Sequence, residues 1–256
     1  MKLKVIGFNI RCCDDADGHS IAERAPRLFS ATAPYDADII GFQECRAAWE
    51  PQIEKYFGEK YDMFFKYRNE TEDVEASPIL WRRDKFCCVK TGYFWLSDTP
   101  QKESRGWDEM FNCYRMCVFA VLKDKQSGEQ FTVMNTHFGF GDSGQVKSAR
   151  LIKEQKEKYS CGSTFILGDF NMTPESAGFS EMTKSFRDAN ACTINDRRST
   201  FHNYCPEKTL NQHIDYCFID ETITPLDFKI ITDTFDGKYP SDHFGLYILL
   251  ETAAEN

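Results

Sequence analysis

Polar residues able to bind a metal or a phosphate recur where an apolar run ends. Asn9 follows Val5-Ile6-Gly7-Phe8, Glu44 follows Ile39-Ile40-Gly41-Phe42-Gln43, and His137 follows Val133-Met134-Asn135-Thr136. Asp169 and Asn171 follow Phe165-Ile166-Leu167-Gly168. Two further sets stand at the leading ends of such runs: His213 and Asp215 before Tyr216-Cys217-Phe218-Ile219, and Asp242-His243 before Phe244-Gly245-Leu246. Glu44, Asp169, Asp215 and Asp242 are hard oxygen donors. Asn9 and Asn171 donate and accept without charge, and His137 and His243 change protonation near neutral pH. Five histidines in all and no paired thiolates favour Mg²⁺ or Mn²⁺ over zinc. Such an ion binds a phosphoester oxygen and offsets the charge that builds during in-line attack by water, so the expected chemistry is metal-dependent phosphoester hydrolysis.

Each residue alone also has a plainer reading. Asn9 serves as a turn former, Glu44 as a solvated carboxylate at a helix start, and His137 as a satisfied half-buried imidazole. Gly168-Asp169-Phe170-Asn171 fits a turn in which Asp and Asn bond the backbone, and Asp242-His243 after Pro240-Ser241 fits plain surface polarity. It is the conjunction of acids, amides and imidazoles at strand ends that argues for chemistry.

Those residues need strands to deliver them. Apolar runs of strand length cover residues 3–8, 37–42, 77–81, 86–94, 116–122, 131–135, 164–167, 214–219 and 244–250. Helical patterns cover 21–33 before Pro34, 46–57, 145–159, and a shorter stretch at 176–183 after Pro174-Glu175. Strand runs outnumber helices about two to one, which suits two packed sheets covered by helices better than one doubly wound sheet. If the strands entered from Asp215 and Asp242 run opposite to those ending at Asn9 and Asp169, all the polar groups share one rim. No internal repeat or linker divides the chain, so one domain over 1–256 is expected.

Composition bounds the partners. The 256 residues are 41% hydrophobic and carry a net charge of -9, with 22 Phe, 11 Tyr and 4 Trp, which predicts an aromatic-rich core and cleft. Non-specific nucleic-acid binding rests on Lys and Arg neutralising phosphates, so the charge disfavours DNA or RNA and favours small substrates, while leaving room for a local basic cleft. Eleven scattered cysteines, an odd number with the adjacent pairs Cys12-Cys13 and Cys87-Cys88, read as free thiols in a reducing cytoplasm. No apolar run approaches the roughly 20 residues that span a bilayer, and Met1 to Ile6 enters a strand-like pattern directly, so neither a membrane span nor an export signal is expected.

Six strings occur in order: Phe8-Asn9-Ile10-Arg11, Gly41-Phe42-Gln43-Glu44, Asn135-Thr136-His137, Gly168-Asp169-Phe170-Asn171, His213-Ile214-Asp215-Tyr216 and Ser241-Asp242-His243-Phe244. Together they cover nearly the whole chain and resemble the endonuclease/exonuclease/phosphatase superfamily. Within it, Phe94-Trp95-Leu96-Ser97-Asp98-Thr99-Pro100 and Arg105-Gly106-Trp107-Asp108 look like a bacterial branch of unassigned substrate. The resemblance implies a four-layer α/β/β/α sandwich of two mixed β-sheets flanked by helices. It implies Glu44 as principal metal ligand, Asn9 beside it, and Asp242 helping to hold a metal or its water. Asp169 would orient or deprotonate the attacking water, Asn171 and His137 would donate to phosphoryl oxygens, and His243, paired with Asp215, would stabilise the transition state or act as acid and base. Glu75 is assigned to orienting His137.

The chain departs from many relatives after His137, where Phe138-Gly139-Phe140-Gly141-Asp142 replaces further polar residues, so contacts made there are expected to be lost or moved. Substrate contacts beyond the phosphate are expected from Arg105, Trp107, Arg115 and Phe201, with Arg115 pairing bidentately with a phosphate and the aromatics stacking a base or sugar. The leading expectation is a phosphodiesterase or phosphatase on a small or modest-sized phosphoester. A nuclease is the alternative within enzymes, separable by salt-dependent oligonucleotide binding. A catalytically silent binding protein is the alternative outside them, separable by an activity screen.

Overall fold

The computed structural model describes residues 1–71 and 74–253. The first half of the chain forms β1 (Lys2–Asn9), β2 (Ile39–Gln43), β3 (Cys45–Arg46), β4 (Tyr61–Phe64), β5 (Glu75–Ala76), β6 (Ile79–Arg82) and β7 (Phe86–Trp95). The second half forms β8 (Met116–Asp124), β9 (Gln130–His137), β10 (Ser163–Asp169), β11 (Arg187–Asp188), β12 (Asp215–Ile219), β13 (Ile223–Ile231) and β14 (Gly245–Thr252). The helices are α1 (Ile21–Thr32), α2 (Glu50–Phe57), α3 (Asp142–Tyr159) and α4 (Ala177–Met182).

Two six-stranded mixed sheets, ordered β13-β14-β1-β2-β6-β4 and β11-β12-β10-β9-β8-β7, form the middle of the molecule. Each is built on one parallel pair, β1 with β2 and β9 with β10. A parallel pair needs a long crossover, and α1 and α3 supply it. Side chains alternate across each strand. From β1, Leu3 and Val5 enter the layer between the sheets, where they meet Val133 and Leu167. Ile6 and Phe8 point the other way and pack with Leu28 of α1 and Ile53 of α2. In the second sheet, Met134 and Ile166 pack outward against Ile152 of α3 and Met182 of α4. Three apolar layers thus separate four structural ones, in the order α/β/β/α.

This topology places the polar rim. The parallel pairs end together, with Asn9 beside Gln43 and His137 beside Asp169. Antiparallel β12 begins where β10 ends, with Asp215 opposite Asp169, and β14 likewise begins near the end of β1, with Leu246 opposite Gly7.

Just beneath the rim a polar joint ties the two sheets. Asn135 Nδ2 donates to the carbonyls of Phe42, Pro78 and Ser77 at 2.8, 2.9 and 3.1 Å, and its Oδ1 accepts from Gln43 Nε2 at 2.7 Å. Gly41 leaves the room, since a Cβ there would lie 2.9 Å from Leu167 and 3.0 Å from Asn135. All four bonds are buried, so the joint fixes how one half of the rim faces the other.

All nine expected strands and four expected helices form. Two sizeable strands were not foreseen. β13 carries Pro225 and alternates buried with exposed residues, and β4 is a four-residue strand; both lie at an edge of the first sheet, where a strand needs less apolar character. The expected helix over 46–57 divides into a 3₁₀ turn, Ala47–Trp49, and α2. α3 starts at Asp142, three residues before its apolar pattern; there Glu109 accepts from the Gly144 N–H at 3.1 Å and satisfies a first-turn donor that has no partner within the helix.

Candidate active site

Three strand exits that carry the site turn through left-handed backbone. Arg11 after β1 has φ 61°, Glu44 after β2 has φ 61°, and Asn171 after β10 has φ 49°. None is glycine, so each conformation costs about 1–3 kcal/mol that the surroundings must hold. At the first exit Arg24, wholly buried on α1, holds the loop. Its guanidinium donates to the carbonyls of Arg11, Cys13, Ile10 and, through Nε, His19. Trp49 Nε1 adds a bond to the Arg11 carbonyl at 2.8 Å. The loop so fixed presents the Cys12 N–H to Glu44 Oε2 at 2.9 Å.

Asn9 Nδ2 stands between two acids, 3.1 Å from Glu44 Oε1 and 2.9 Å from Asp169 Oδ2, while its Oδ1 accepts from the Arg11 N–H at 3.0 Å. Held by these three bonds, Asn9 acts as a strut that spaces the carboxylates. Asp242 lies on the same side, 3.7 Å from Arg11 Nε, and Ser241 Oγ ties that segment to the Asn9 carbonyl at 2.7 Å.

Asp169 is the centre. Its Oδ2 lies 3.6 Å from His137 Nε2 and 3.7 Å from His243 Nε2, and its Oδ1 accepts from the Asn171 N–H at 3.0 Å. Burial, reinforced by the charge of Asp215, pushes the Asp169 carboxyl up to about 7. Burial also lifts Asp242 above the ordinary carboxylate range. Burial pushes Glu44 upward too, but the His243 charge, the Cys12 N–H and Asn9 outweigh it and hold Glu44 below its usual value.

The two histidines are set to opposite protonation states. His243 Nδ1 bonds Asp215 Oδ2 at 2.9 Å; burial alone would strip the ring of its proton, but Asp215, with Asp169 and Asp242, pushes it up to about 10. His243 is therefore an imidazolium at neutral pH. His137 is driven well below its usual value by burial and by the charges of Arg115 and Arg68. Arg68 Nη2 lies 2.8 Å from His137 Nδ1. A guanidinium can only donate, so Nδ1 accepts and the neutral ring carries its proton on Nε2, toward Asp169. The Asn171 Nδ2, also a donor, stands beside it at 3.0 Å and bonds the Phe138 carbonyl.

The cluster suits a hard cation. Oxygens of Glu44 and Asp169 and a His137 ring nitrogen lie within 4.8 Å of one another, and Asp169, Asp215 and His243 form a second such group. The second is consumed by the Asp215–His243 bond. The first, with Asp242 alongside, offers three carboxylates, and a divalent cation would favour the charged form of Asp169 and Asp242, which burial disfavours.

A cleft of about 850 Å³ opens over this set. Arg105, Arg115 and Phe201 line it as expected, and the Phe201 ring lies 5.1 Å from that of His243. Trp107 does not. It packs against the outer core layer of the second sheet with Lys147 over its ring, so its bulk supports the loop instead of meeting a substrate. Arg115 faces the cleft, but its Nε and Nη2 are taken by buried Asp108 at 3.0 and 2.9 Å, so the bidentate fork expected for phosphate is engaged within the protein. Glu75 reaches His137 only through Arg68, whose Nη1 it meets at 3.0 Å. Arg24 and Arg68 went unforeseen: neither stands at a strand end, and each acts at the tip of a long side chain.

Gly139 and Gly144 admit the 105–115 loop, where an added Cβ would lie 2.8 Å and 2.2 Å from the Trp107 carbonyl oxygen, and Gly141 turns with φ 99°. This segment is a docking surface for the loop that brings Arg105 and Arg115 to the cleft.

Comparison with known proteins agrees with this geometry. The chain is similar to a solved endonuclease/exonuclease/phosphatase family protein from Bacteroides thetaiotaomicron, at 27% identity and TM-score 0.90 over 98% of this chain and 97% of the other. It is similar to a mannosyl-6-phosphatase of the same organism at 28% identity and TM-score 0.89, over 97% of this chain and 99% of that one. The human nocturnin catalytic domain shares the fold at 14% identity and TM-score 0.74, over 98% of this chain and 94% of that one. Comparison with curated proteins gives no match. The family model described as Endonuclease/Exonuclease/phosphatase matches residues 6–243, spanning every strand end that carries the site, and the chain belongs to that family.

Proposed function

We propose that the protein is a metal-dependent hydrolase of a small phosphoester, a phosphatase or phosphodiesterase, with Mg²⁺ or Mn²⁺ held by Glu44 and Asp242. The observation that carries this reading is Asp169, buried and centred between a neutral imidazole and an imidazolium, with its carboxyl near 7. Such a group accepts a proton from water at neutral pH. The His137 Nε2–H and the Asn171 amide then donate to phosphoryl oxygens, and the His243 imidazolium, held by Asp215, answers charge on the transition state. When bound, the cation supplies Lewis-acid stabilisation of that charge. Asn9 keeps Glu44 and Asp169 spaced throughout. The similarity to a mannosyl-6-phosphatase and the net charge of -9 both support a small substrate, such as a sugar phosphate, over a nucleic acid. A panel of sugar phosphates, nucleotides and phosphodiesters assayed with Mg²⁺ or Mn²⁺ tests this; release of product from none of them, with either metal, contradicts it.

A further inference from the structure

Beside the cleft two neighbouring thiols meet. Adjacent residues of a strand point to opposite faces, but Cys12 and Cys13 lie in the loop that leaves β1 through the left-handed turn at Arg11, and their sulfurs converge to 3.2 Å. Among the described residues no other two cysteine sulfurs are in such contact, although the chain has 11 cysteines. The same loop serves the active site: Cys12 lines the cleft, and its N–H donates to Glu44 Oε2 at 2.9 Å. The two sulfurs differ in access. Cys12 is buried and Cys13 is half-exposed, so a small oxidant arriving from solvent meets Cys13 first. Arg46, which also meets Glu75 at 3.3 Å, places its guanidinium 3.9 Å from the Cys13 sulfur.

We infer that Cys12 and Cys13 form a modification site at which hydrogen peroxide closes a disulfide, and that closing it frees the loop from Glu44 and reversibly switches the active site off. The Cys13 sulfur attacks one peroxide oxygen, breaks the O–O bond and becomes a sulfenic acid as the first water leaves. The Cys12 sulfur then attacks Cys13, forming the S–S bond and expelling the sulfenic oxygen as a second water. Both thiol protons end in those waters, and the two electrons lost by the sulfurs reduce the one peroxide. Ring closure cannot leave the loop as it is. The Cys12–Cys13 peptide is trans, which sets the two Cα atoms about 3.8 Å apart, whereas a disulfide ordinarily spans about 4.4–6.8 Å. Arg24 grips the carbonyls on either side, that of Arg11 at 3.1 Å and that of Cys13 at 2.6 Å. Drawing the sulfurs in from 3.2 Å to about 2.05 Å therefore forces a shift on Cys12, whose N–H makes the bond to Glu44. The loss of activity rests on the hydrolase reading above; formation of the disulfide does not.

The test treats the protein with hydrogen peroxide, with and without dithiothreitol afterwards. Trypsin cuts after Arg11 and Arg24, so one peptide, 12–24, holds both thiols and no other cysteine. After peroxide this peptide is expected to be two hydrogens lighter and closed to alkylation. The kcat/KM for a phosphoester that the reduced protein cleaves with Mg²⁺ is expected to fall at least about tenfold, and dithiothreitol to reverse both changes. Cys13→Ser, which alters a half-exposed thiol outside the catalytic groups, is expected to match the reduced wild type and to keep that activity under the same peroxide. A peptide that stays reduced, a closed disulfide with unchanged kcat/KM, or equal inactivation of Cys13→Ser overturns the inference while the hydrolase reading stands. A reduced protein that cleaves no phosphoester overturns the hydrolase reading alone. Hydrogen exchange of the Cys12 amide, followed by NMR, then decides: a rate at least about tenfold faster in the oxidised protein is expected, and an unchanged rate overturns the inference.

Discussion

At the residue scale, the site works by separating the states of like groups: two histidines, one neutral and one charged, and carboxylates pushed to different sides of their usual range. His243 depends most on a single neighbour. Burial lowers it and Asp215, ahead of Asp169 and Asp242, raises it, so with Asp215→Asn the largest raising influence goes and the proton leaves at lower pH. Activity that requires the imidazolium falls as pH rises through the His243 value, about 10 in the native protein. In Asp215→Asn this alkaline limb is expected to move down by about two units or more, with kcat at pH 8 reduced on the order of 100-fold; a pH–rate profile with an unmoved limb would contradict the assignment. Arg24→Leu leaves several buried carbonyls of the first loop unpaired and is expected to cost about 3 kcal/mol in denaturant unfolding. Glu44, His137, Asp169, Asn171, Asp215, Asp242 and His243 were legible in the sequence because strand ends announce them. Arg24 and Arg68 were not, because a long side chain acts far from its own backbone: Arg68 meets a residue 69 positions away.

At the element scale, the rim exists because two β-α-β crossovers end their parallel pairs together and two antiparallel strands start there. Central strands are apolar on both faces and declare themselves in sequence; the edge strands β4 and β13 do not, since half of each faces water. The joint at Asn135 shows a subtler limit. Asn135-Thr136-His137 reads as one phosphate-binding string, yet Asn135 clamps the sheets and only His137 reaches the site. The loop 105–115 brings Arg105 and Arg115 to the cleft, and glycines seat it. Gly144→Ala would push a Cβ to 2.2 Å from the Trp107 carbonyl. It is expected to destabilise by about 1–3 kcal/mol and to lower kcat/KM roughly tenfold or more by displacing Arg105 and Arg115. A variant with unchanged melting temperature and kinetics would show that the loop is not seated there.

At the scale of the whole molecule, charge and cleft carry opposite signs: a net -9 chain surrounds a cleft rich in arginine. Such a surface opposes a long polyanion while the cleft admits a compact one, so oligonucleotide binding is expected to be weak at physiological salt. No helix among the described residues is long and apolar enough to cross a membrane. Family and fold were both legible in the six ordered strings, because chemistry fixes those residues at strand ends. Substrate was not, because it is set by side chains meeting across the cleft from separate loops. The central claim is that Asp169 works in a metal-dependent phosphoester-cleaving site. Its most direct test is phosphate release from small phosphomonoesters by wild-type protein and Asp169→Asn, each with Mg²⁺ and with excess chelator. Turnover by the wild type that is lost on chelation and reduced about 1,000-fold or more in Asp169→Asn is predicted; turnover that survives both changes would contradict the account.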